Sequence, residues 1–155
     1  MEIDSLKTKI SKRRDDFISF LKQLKKEIDE IDTLLLVEGK NDKAFFEYFG
    51  FNGDKIIEIS YLSEEKILIK LKTVIKGDYV VCIPLVDFDS EGIKYLKRIS
   101  KLDSIKAGRS QYFKKLRVDT FFRHKLSSLL IGKYREIEDL IYYVDKMQIL
   151  PEDIK

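Results

Sequence analysis

The first part of the chain has the apolar spacing of a helix. From Ser5 to Ile31 there is no Gly or Pro, and apolar side chains recur at steps of four and three residues, which is typical of one face of an α-helix. These seam residues are Phe17, Leu21, Leu24, Ile28 and Ile31. The same spacing is found in coiled coils. We interpret the segment as an amphipathic helix lying across its own domain. The alternative is docking onto a second copy, as a homodimer, or onto a protein partner.

After residue 32 the pattern changes to short, continuous apolar runs, which are typical of strands buried on both faces. Three runs are predicted as strands: Thr33–Val37, Lys55–Ser60 and Tyr79–Val86. Each is followed by a segment with helical spacing: 44–49, 67–75 and 93–102. This alternation predicts an α/β fold of the Rossmann-like class, with a mostly parallel sheet flanked by helices. The remainder, from residue 104 to 155, is predicted to be mostly helical, with helices at 121–131 and 136–147.

The composition excludes several classes of protein. A length of 155 residues suits one domain. One Cys and one His exclude a disulfide framework and zinc sites that need two His or several Cys. No apolar run approaches the ~20 residues of a membrane span, and the first residues lack the apolar stretch of a signal peptide. We therefore expect a cytoplasmic protein with no membrane contact.

The net charge of +3 conceals a strong division along the chain. The window from Lys94 to Arg135 has thirteen basic and two acidic residues, a net charge of +11, whereas the rest has 17 basic and 25 acidic residues, a net charge of −8. A basic block of this kind indicates a polyanion partner, here RNA or DNA. The residues predicted to contact it are Lys40, Lys94, Lys97, Arg98, Lys101, Arg109, Lys114, Lys115, Arg117 and Arg123.

Two acidic clusters each follow a predicted strand. Glu38 and Asp42 follow the first strand, and Asp87 and Asp89 follow the third. Because ligands gather at the carboxyl ends of parallel strands, we expect the two clusters to meet there. Clustered carboxylates repel one another unless a cation neutralises them, and their oxygens suit Mg²⁺, or Mn²⁺ in its place. For each Asp taken singly, a helix cap is the alternative explanation.

Small residues beside these acids would give an anion access. Gly39 would let a phosphate come close to the backbone. The helix predicted to open at Ser90 has free N–H groups in its first turn, and such groups hold anions.

The two acidic motifs carry a resemblance to a known family. The segments Leu34 to Asp42 and Val80 to Gly92 resemble the two motifs of the Toprim domain. That domain is shared by type IA and type II topoisomerases, bacterial primases, overcoming-lysogenization-defect nucleases, recombination-repair proteins and the ribonucleases that mature 5S rRNA. The likeness covers about residues 32–102. The tail, at Val118 to Leu126 and Arg135 to Leu140, resembles the small stand-alone archaeal Toprim proteins.

The resemblance implies roles for individual residues. Glu38 matches the glutamate that acts as general acid or base in phosphoryl transfer. It is also predicted to be a metal ligand together with Asp87 and Asp89. The Asp87 and Asp89 pair matches the Asp-x-Asp that coordinates Mg²⁺. The supporting residues are Gly39, Asp42, Ser90 and Gly92. Two residues depart from the family pattern. Many relatives carry a small residue or proline where this chain has Phe88, and glutamate where it has Ile93.

The expected organisation is an amphipathic helix at 1–31, a Toprim-like core at 32–118 and a helical extension at 119–155 packed on the core. Two functions remain open. One is an Mg²⁺-dependent nuclease acting on RNA or DNA. The other is a non-catalytic nucleic-acid-binding module that works within a larger processing or replication complex.

Overall fold

Helices and strands alternate along most of the described chain. The computed structural model describes residues 2–103, 112–130 and 139–155, with side chains from Lys12 onward. The described elements are α1 (Glu2–Ile28), β1 (Thr33–Val37), α2 (Lys40–Tyr48), β2 (Ile56–Glu58), α3 (Glu64–Val74), β3 (Tyr79–Leu85), α4 (Ser90–Ser100), β4 (Lys115–Val118), α5 (Phe121–Leu129) and α6 (Asp139–Lys146), with short 3-10 turns at Gly53–Lys55 and Pro151–Asp153.

The described strands form one parallel sheet in the order β2-β1-β3-β4. Leu35 of β1 lies opposite Ile56 of β2 on one side and Ile83 of β3 on the other. Tyr79 of β3 lies opposite Lys115 of β4. Four parallel strands flanked by six helices confirm the predicted α/β fold with a Rossmann-like arrangement.

The sheet separates two apolar cores. Successive side chains of a strand point to opposite faces, and every residue of β1 is buried. Leu35 and Val37 pack with α1, α2, α5 and α6 on one face, whereas Leu34 and Leu36 pack with α3 and α4 on the other. The continuous apolar run that predicted β1 therefore has a direct physical cause, because both faces of this strand are covered.

Helix α1 lies across its own domain. Phe17, Leu21, Leu24 and Ile28 are buried in the first core, so the intramolecular interpretation of the seam is confirmed for these four residues, and they are not available to a second copy. The prediction is wrong for Ile31, which is 82% exposed because α1 ends at Ile28.

Two arginines of α1 hold the C-terminal segment. Arg13 Nη2 donates to the carbonyl of Leu129 at 2.8 Å. Arg14 Nε donates to the carbonyl of Met147 at 3.1 Å, and its Nη2 pairs with Asp153 at 3.1 Å. In the sequence these residues precede the apolar seam, and in the structure they connect α1 to the end of the chain.

The prediction of a mostly helical segment after residue 104 is wrong at β4. Leu116 is fully buried between exposed Lys115 and Arg117, and this period of two residues is the pattern of a strand. The strand is only four residues long, and both of its exposed residues are basic. The alternation is therefore difficult to recognise in this highly charged segment. Helices α5 and α6 agree with the two predicted helices where the structure describes them. Arg109 and residues 136–138 lie outside the described residues.

No helix within the described ranges combines the length and the apolar character needed to cross a membrane.

Candidate carboxylate site

The carboxyl ends of β1 and β3 bring the two acidic clusters side by side. These strands are neighbours, with Val37 opposite Leu85 at their ends. Glu38 follows Val37 directly, and Asp87 comes two residues after Leu85. The amide N–H of Asp87 donates to Glu38 Oε2 at 2.6 Å. The structure therefore joins Glu38 and Asp87, which lie 49 residues apart in the chain.

The backbone of Glu38 is also fixed from the side of β2. Its carbonyl oxygen accepts hydrogen bonds from the amide N–H of Ser60, at 3.0 Å, and from the Ser60 hydroxyl. Sequence reasoning missed this role of Ser60. The available signal was its position, since Ser60 ends the predicted strand 55–60 and strand ends meet at one edge of a parallel sheet.

Arg123 of α5 approaches the same pair from the face of the sheet that carries the first apolar core. Its Nε donates to the carbonyl of Val86 at 3.2 Å and its Nη2 to the carbonyl of Asp87 at 2.8 Å. Burial lowers the pKa of Arg123 by removing water from the guanidinium, while the charges of Glu38 and Asp87 act in the opposite direction. An arginine stays protonated in proteins, so Arg123 is a fixed cation beside both carboxylates.

Phe88, one of the two departures from the Toprim pattern, contributes to this arrangement. The guanidinium carbon of Arg123 lies 4.7 Å from the centre of the Phe88 ring, within the range of a cation–π contact. The other departure, Ile93, is partly exposed on the first turn of α4. Neither residue replaces one of the predicted carboxylates.

Asp89 is the N-cap of α4. Its Oδ1 accepts a hydrogen bond from the amide N–H of Gly92 at 2.8 Å. The alternative explanation of Asp89 as a helix cap is thus confirmed, and this N–H of the first turn is occupied by the chain itself. Ser90 is the exposed first residue of the helix. A Cβ on Gly92 would lie 1.8 Å from the carbonyl oxygen of Asp87, so only glycine fits there.

Gly39 leaves the surface beside Glu38 open. Its backbone is extended, with φ of −142°, and a Cβ there would meet no atom of the described residues within 4 Å. Asp42 is buried, and its Oδ2 accepts a hydrogen bond from the amide N–H of Gly39 at 3.2 Å. Asp42 therefore stabilises the first turn of α2. The first residue of this helix, Lys40, is exposed.

The donor set at this edge consists of carboxylate oxygens from Glu38, Asp87 and Asp89, which are ligands that Mg²⁺ and Mn²⁺ prefer. Among the side chains that the structure describes, no three Asp, Glu, His or Cys residues are grouped so as to hold a metal ion. The predicted ligand set of Glu38, Asp87 and Asp89 stays a prediction. The arrangement fits a cation that takes one or two carboxylates and completes its shell with water and substrate phosphates, as Mg²⁺ does.

The predicted basic residues divide into exposed and structural ones. The exposed lysines of α4 and its C-cap form what we call the basic surface: Lys94, Lys97 and Lys101. Lys114, Lys115 and Arg117 are also exposed. In β4, Lys115 and Arg117 alternate with Leu116, which packs in the core on the α4 side, so these two point to the opposite face of the sheet. Lys94 pairs with Glu91 at 3.3 Å and Lys114 with Asp78 at 3.8 Å, both in water, where such pairs are weak. Arg98 instead is half-buried, and its Nη1 donates to the carbonyl of Leu62 at 2.9 Å.

No family model matches the chain, and no curated protein matches its sequence. A solved structure of a protein from Aquifex aeolicus is similar, with a TM-score of 0.57 and 26% sequence identity over 78% of this chain and 94% of that chain. The likeness shows the fold. The name of that protein states no activity, so the function of the present chain must be argued from its own residues.

Proposed function

We propose that the chain is a Toprim-like, Mg²⁺-dependent nuclease that hydrolyses phosphodiester bonds in RNA or DNA. The observation that carries the proposal is the 2.6 Å hydrogen bond from the backbone N–H of Asp87 to the Glu38 carboxylate, which brings these two acidic residues together at the carboxyl edge of the sheet. Paired carboxylates on neighbouring strand ends are a means of holding a hard cation and of transferring a proton in one place.

In this proposal Glu38 and Asp87 would hold Mg²⁺, and Asp89, which caps α4 through Oδ1, is a further candidate ligand through its other oxygen. When bound, Mg²⁺ supplies stabilisation of the negative charge that develops on the phosphoryl oxygens. Glu38 transfers the proton as general base or acid, with its carboxylate oriented by the Asp87 amide. Arg123 holds the Val86 and Asp87 carbonyls in position.

The charges at the site favour a cation and a phosphate together. Glu38 and Asp87 carry two negative charges, and Arg123 supplies one positive charge next to them. Carboxylate oxygens are the ligands that a hard divalent cation prefers. The open surface at Gly39 gives a phosphate room to approach.

The basic surface supports a nucleic acid as the partner. Helix α4 begins at the site, where Asp89 caps it, and its exposed Lys94 and Lys97 follow along the helix. A phosphate backbone lying on α4 would therefore lead directly to the carboxylates. Lys and Arg contacts to phosphates supply most of the affinity in such complexes.

A non-catalytic nucleic-acid-binding module is the second candidate function, and a specific observation favours it. Asp89 uses one oxygen to cap α4, and the described residues hold no group of three metal ligands. A site with fewer carboxylates can bind a phosphate backbone through a cation without assembling the groups for hydrolysis.

Cleavage assays distinguish the two candidates. Labelled RNA and DNA are incubated with Mg²⁺ or Mn²⁺ and either the unchanged protein or Glu38→Gln, which keeps an oxygen to accept the Asp87 N–H. A nuclease shows metal-dependent cleavage that falls by about 100-fold or more in the variant. The matched control is Glu27→Gln, on the exposed side of α1, which cleaves normally. Binding without cleavage selects the module, and absence of binding contradicts both.

A further inference from the structure

Tyr61 combines an unfavourable backbone with a solvated side chain. Its φ is +64°, in the left-handed region that favours Gly and Asn and that is strained for a bulky residue. Its side chain is 94% exposed, so burial of the ring does not offset the strain. A tyrosine at such a position gives the folded protein no visible benefit, and strained residues of this kind cluster at functional sites.

The turn that carries Tyr61 is held at both ends. The amide N–H of Leu62 donates to the carbonyl of Ile59 at 3.1 Å, which closes the turn around Ser60 and Tyr61. Ser60 is bound to the carbonyl of Glu38 through its N–H and hydroxyl. On the other side, Arg98 of α4 binds the carbonyl of Leu62 at 2.9 Å. The exposed ring therefore projects from an anchored backbone.

This anchoring also places Tyr61 at the carboxyl edge of the sheet. Strand β2 is the neighbour of β1 in the sheet, and residue 60 contacts Glu38 directly. Tyr61 is thus the next residue after a group that touches the backbone of the proposed catalytic glutamate. A nucleotide bound at Tyr61 would therefore lie at the edge of the sheet that carries Glu38.

We propose that Tyr61 is a stacking platform for an unpaired base, and that the substrate of the site is single-stranded nucleic acid. This inference rests on the proposed function and specifies its substrate class. Stacking of a base on an aromatic ring tolerates every sequence, since each base has a π face. A base within a duplex is already stacked on its neighbours, so the platform favours a strand whose bases are free.

Binding assays with matched strands test the inference. Anisotropy of a labelled oligothymidylate, and of a labelled blunt duplex of equal length, is measured with Mg²⁺ in a Glu38→Gln background, where neither is cut. We expect Tyr61→Ala to weaken binding of the single strand by ~10-fold or more and to leave duplex binding unchanged. Tyr61→Phe keeps the ring and binds as the parent does.

Two further variants separate stacking from folding. Tyr61→Gly suits the positive φ, so it keeps the thermal midpoint of the parent while it loses binding of the single strand. Tyr48→Ala removes another exposed tyrosine, 62% exposed at the far end of α2, and leaves binding unchanged.

The outcomes separate this inference from the proposed function. If the parent binds both nucleic acids and Tyr61→Ala binds the single strand equally well, the platform is wrong and the proposed function stands. An equal loss for single strand and duplex also overturns it. If the parent binds neither nucleic acid, the proposed function and the platform are both wrong.

Discussion

At the scale of single residues, two glycines of the carboxylate site lack a side chain for opposite reasons. At Gly92 a Cβ would lie 1.8 Å from the Asp87 carbonyl oxygen, whereas at Gly39 it would enter open space. We expect Gly92→Ala to lower the free energy of unfolding by about 3 kcal/mol, at the upper end of overpacking costs. Gly39→Ala should lower it by about 1 kcal/mol, because Gly39 is the N-cap of α2 and Ala is disfavoured there. Urea unfolding of both variants measures the difference, and equal losses would contradict the packing described at Gly92.

Gly39→Ala also tests whether a phosphate uses the open surface. Because this variant keeps the fold, a fall in nucleic-acid cleavage or binding would come from the methyl group beside Glu38. Full activity of Gly39→Ala would show that the substrate does not approach this position.

Cys82 is a buried thiol in the middle of β3. Burial, assisted by the negative charge of Asp103, raises its pKa from 9.0 to about 12. The unfolded chain loses this proton near pH 9 and the folded chain near pH 12. The stabilisation that comes from keeping the thiol neutral is therefore complete below pH 9 and is lost between pH 9 and 12.

The same environment predicts slow chemistry at Cys82, because the thiolate is the nucleophile. At pH 8 we expect a disulfide reagent to label the folded protein slowly and the urea-unfolded protein at once, as followed by thionitrobenzoate absorbance. Rapid labelling of the folded protein, with Cys82→Ala as the unreactive blank, would contradict the burial of this side chain.

At the scale of elements, the sequence predicts those whose patterning is set locally. The run Thr33–Val37 predicts β1 at its observed bounds because both faces of the strand are buried. Strand β4 is missed because its one fully buried residue, Leu116, stands among basic neighbours whose charge dominates the segment. The end of α1 is also misplaced, since Ile31 continues the seam in the sequence although the helix ends at Ile28.

The candidate site is predictable to the extent that it follows from strand ends. Glu38 and Asp87 both follow buried strands, so their meeting at one edge could be expected. The bond from Arg98 to Leu62 joins residues 36 positions apart in the chain, and no feature of the sequence around Tyr61 indicates its positive φ. No local pattern encodes them.

Asp89 has two roles that belong to its helix and to the proposed site, and substitutions can separate them. Asn caps helices as well as Asp does, so Asp89→Asn should leave the free energy of unfolding unchanged. Asp89→Ala should lower it by about 1 kcal/mol, because the Gly92 N–H loses its acceptor. If Asp89 also binds Mg²⁺, Asp89→Asn weakens Mg²⁺ binding in calorimetry. Unchanged Mg²⁺ affinity would restrict Asp89 to the capping role.

At the scale of the whole molecule, the described structure shows where the acidic and basic residues of the divided sequence lie. Glu38 and Asp87 lie at the carboxyl edge of the sheet, whereas the basic surface runs along α4. Helix α1 lies on the opposite face of the sheet from α4, since they belong to different apolar cores. A nucleic acid bound along α4 would not contact the exposed lysines of α1. Substitution of those lysines is therefore a control for the loss of positive charge alone.

This placement predicts the salt dependence of binding. The slope of log K against log salt is negative, and each lost phosphate contact reduces its magnitude by about 0.7–0.9. The triple substitution of Lys94, Lys97 and Lys101 by Gln should therefore reduce the magnitude of the slope by about 2–3 if these residues contact phosphates. The matched triple, at Lys12, Lys22 and Lys26 of α1, removes the same net charge from the other face and should leave the slope nearly unchanged. Gel-shift titrations at several salt concentrations measure both. Equal changes in the two triples would show that total charge, and not the basic surface, attracts the nucleic acid.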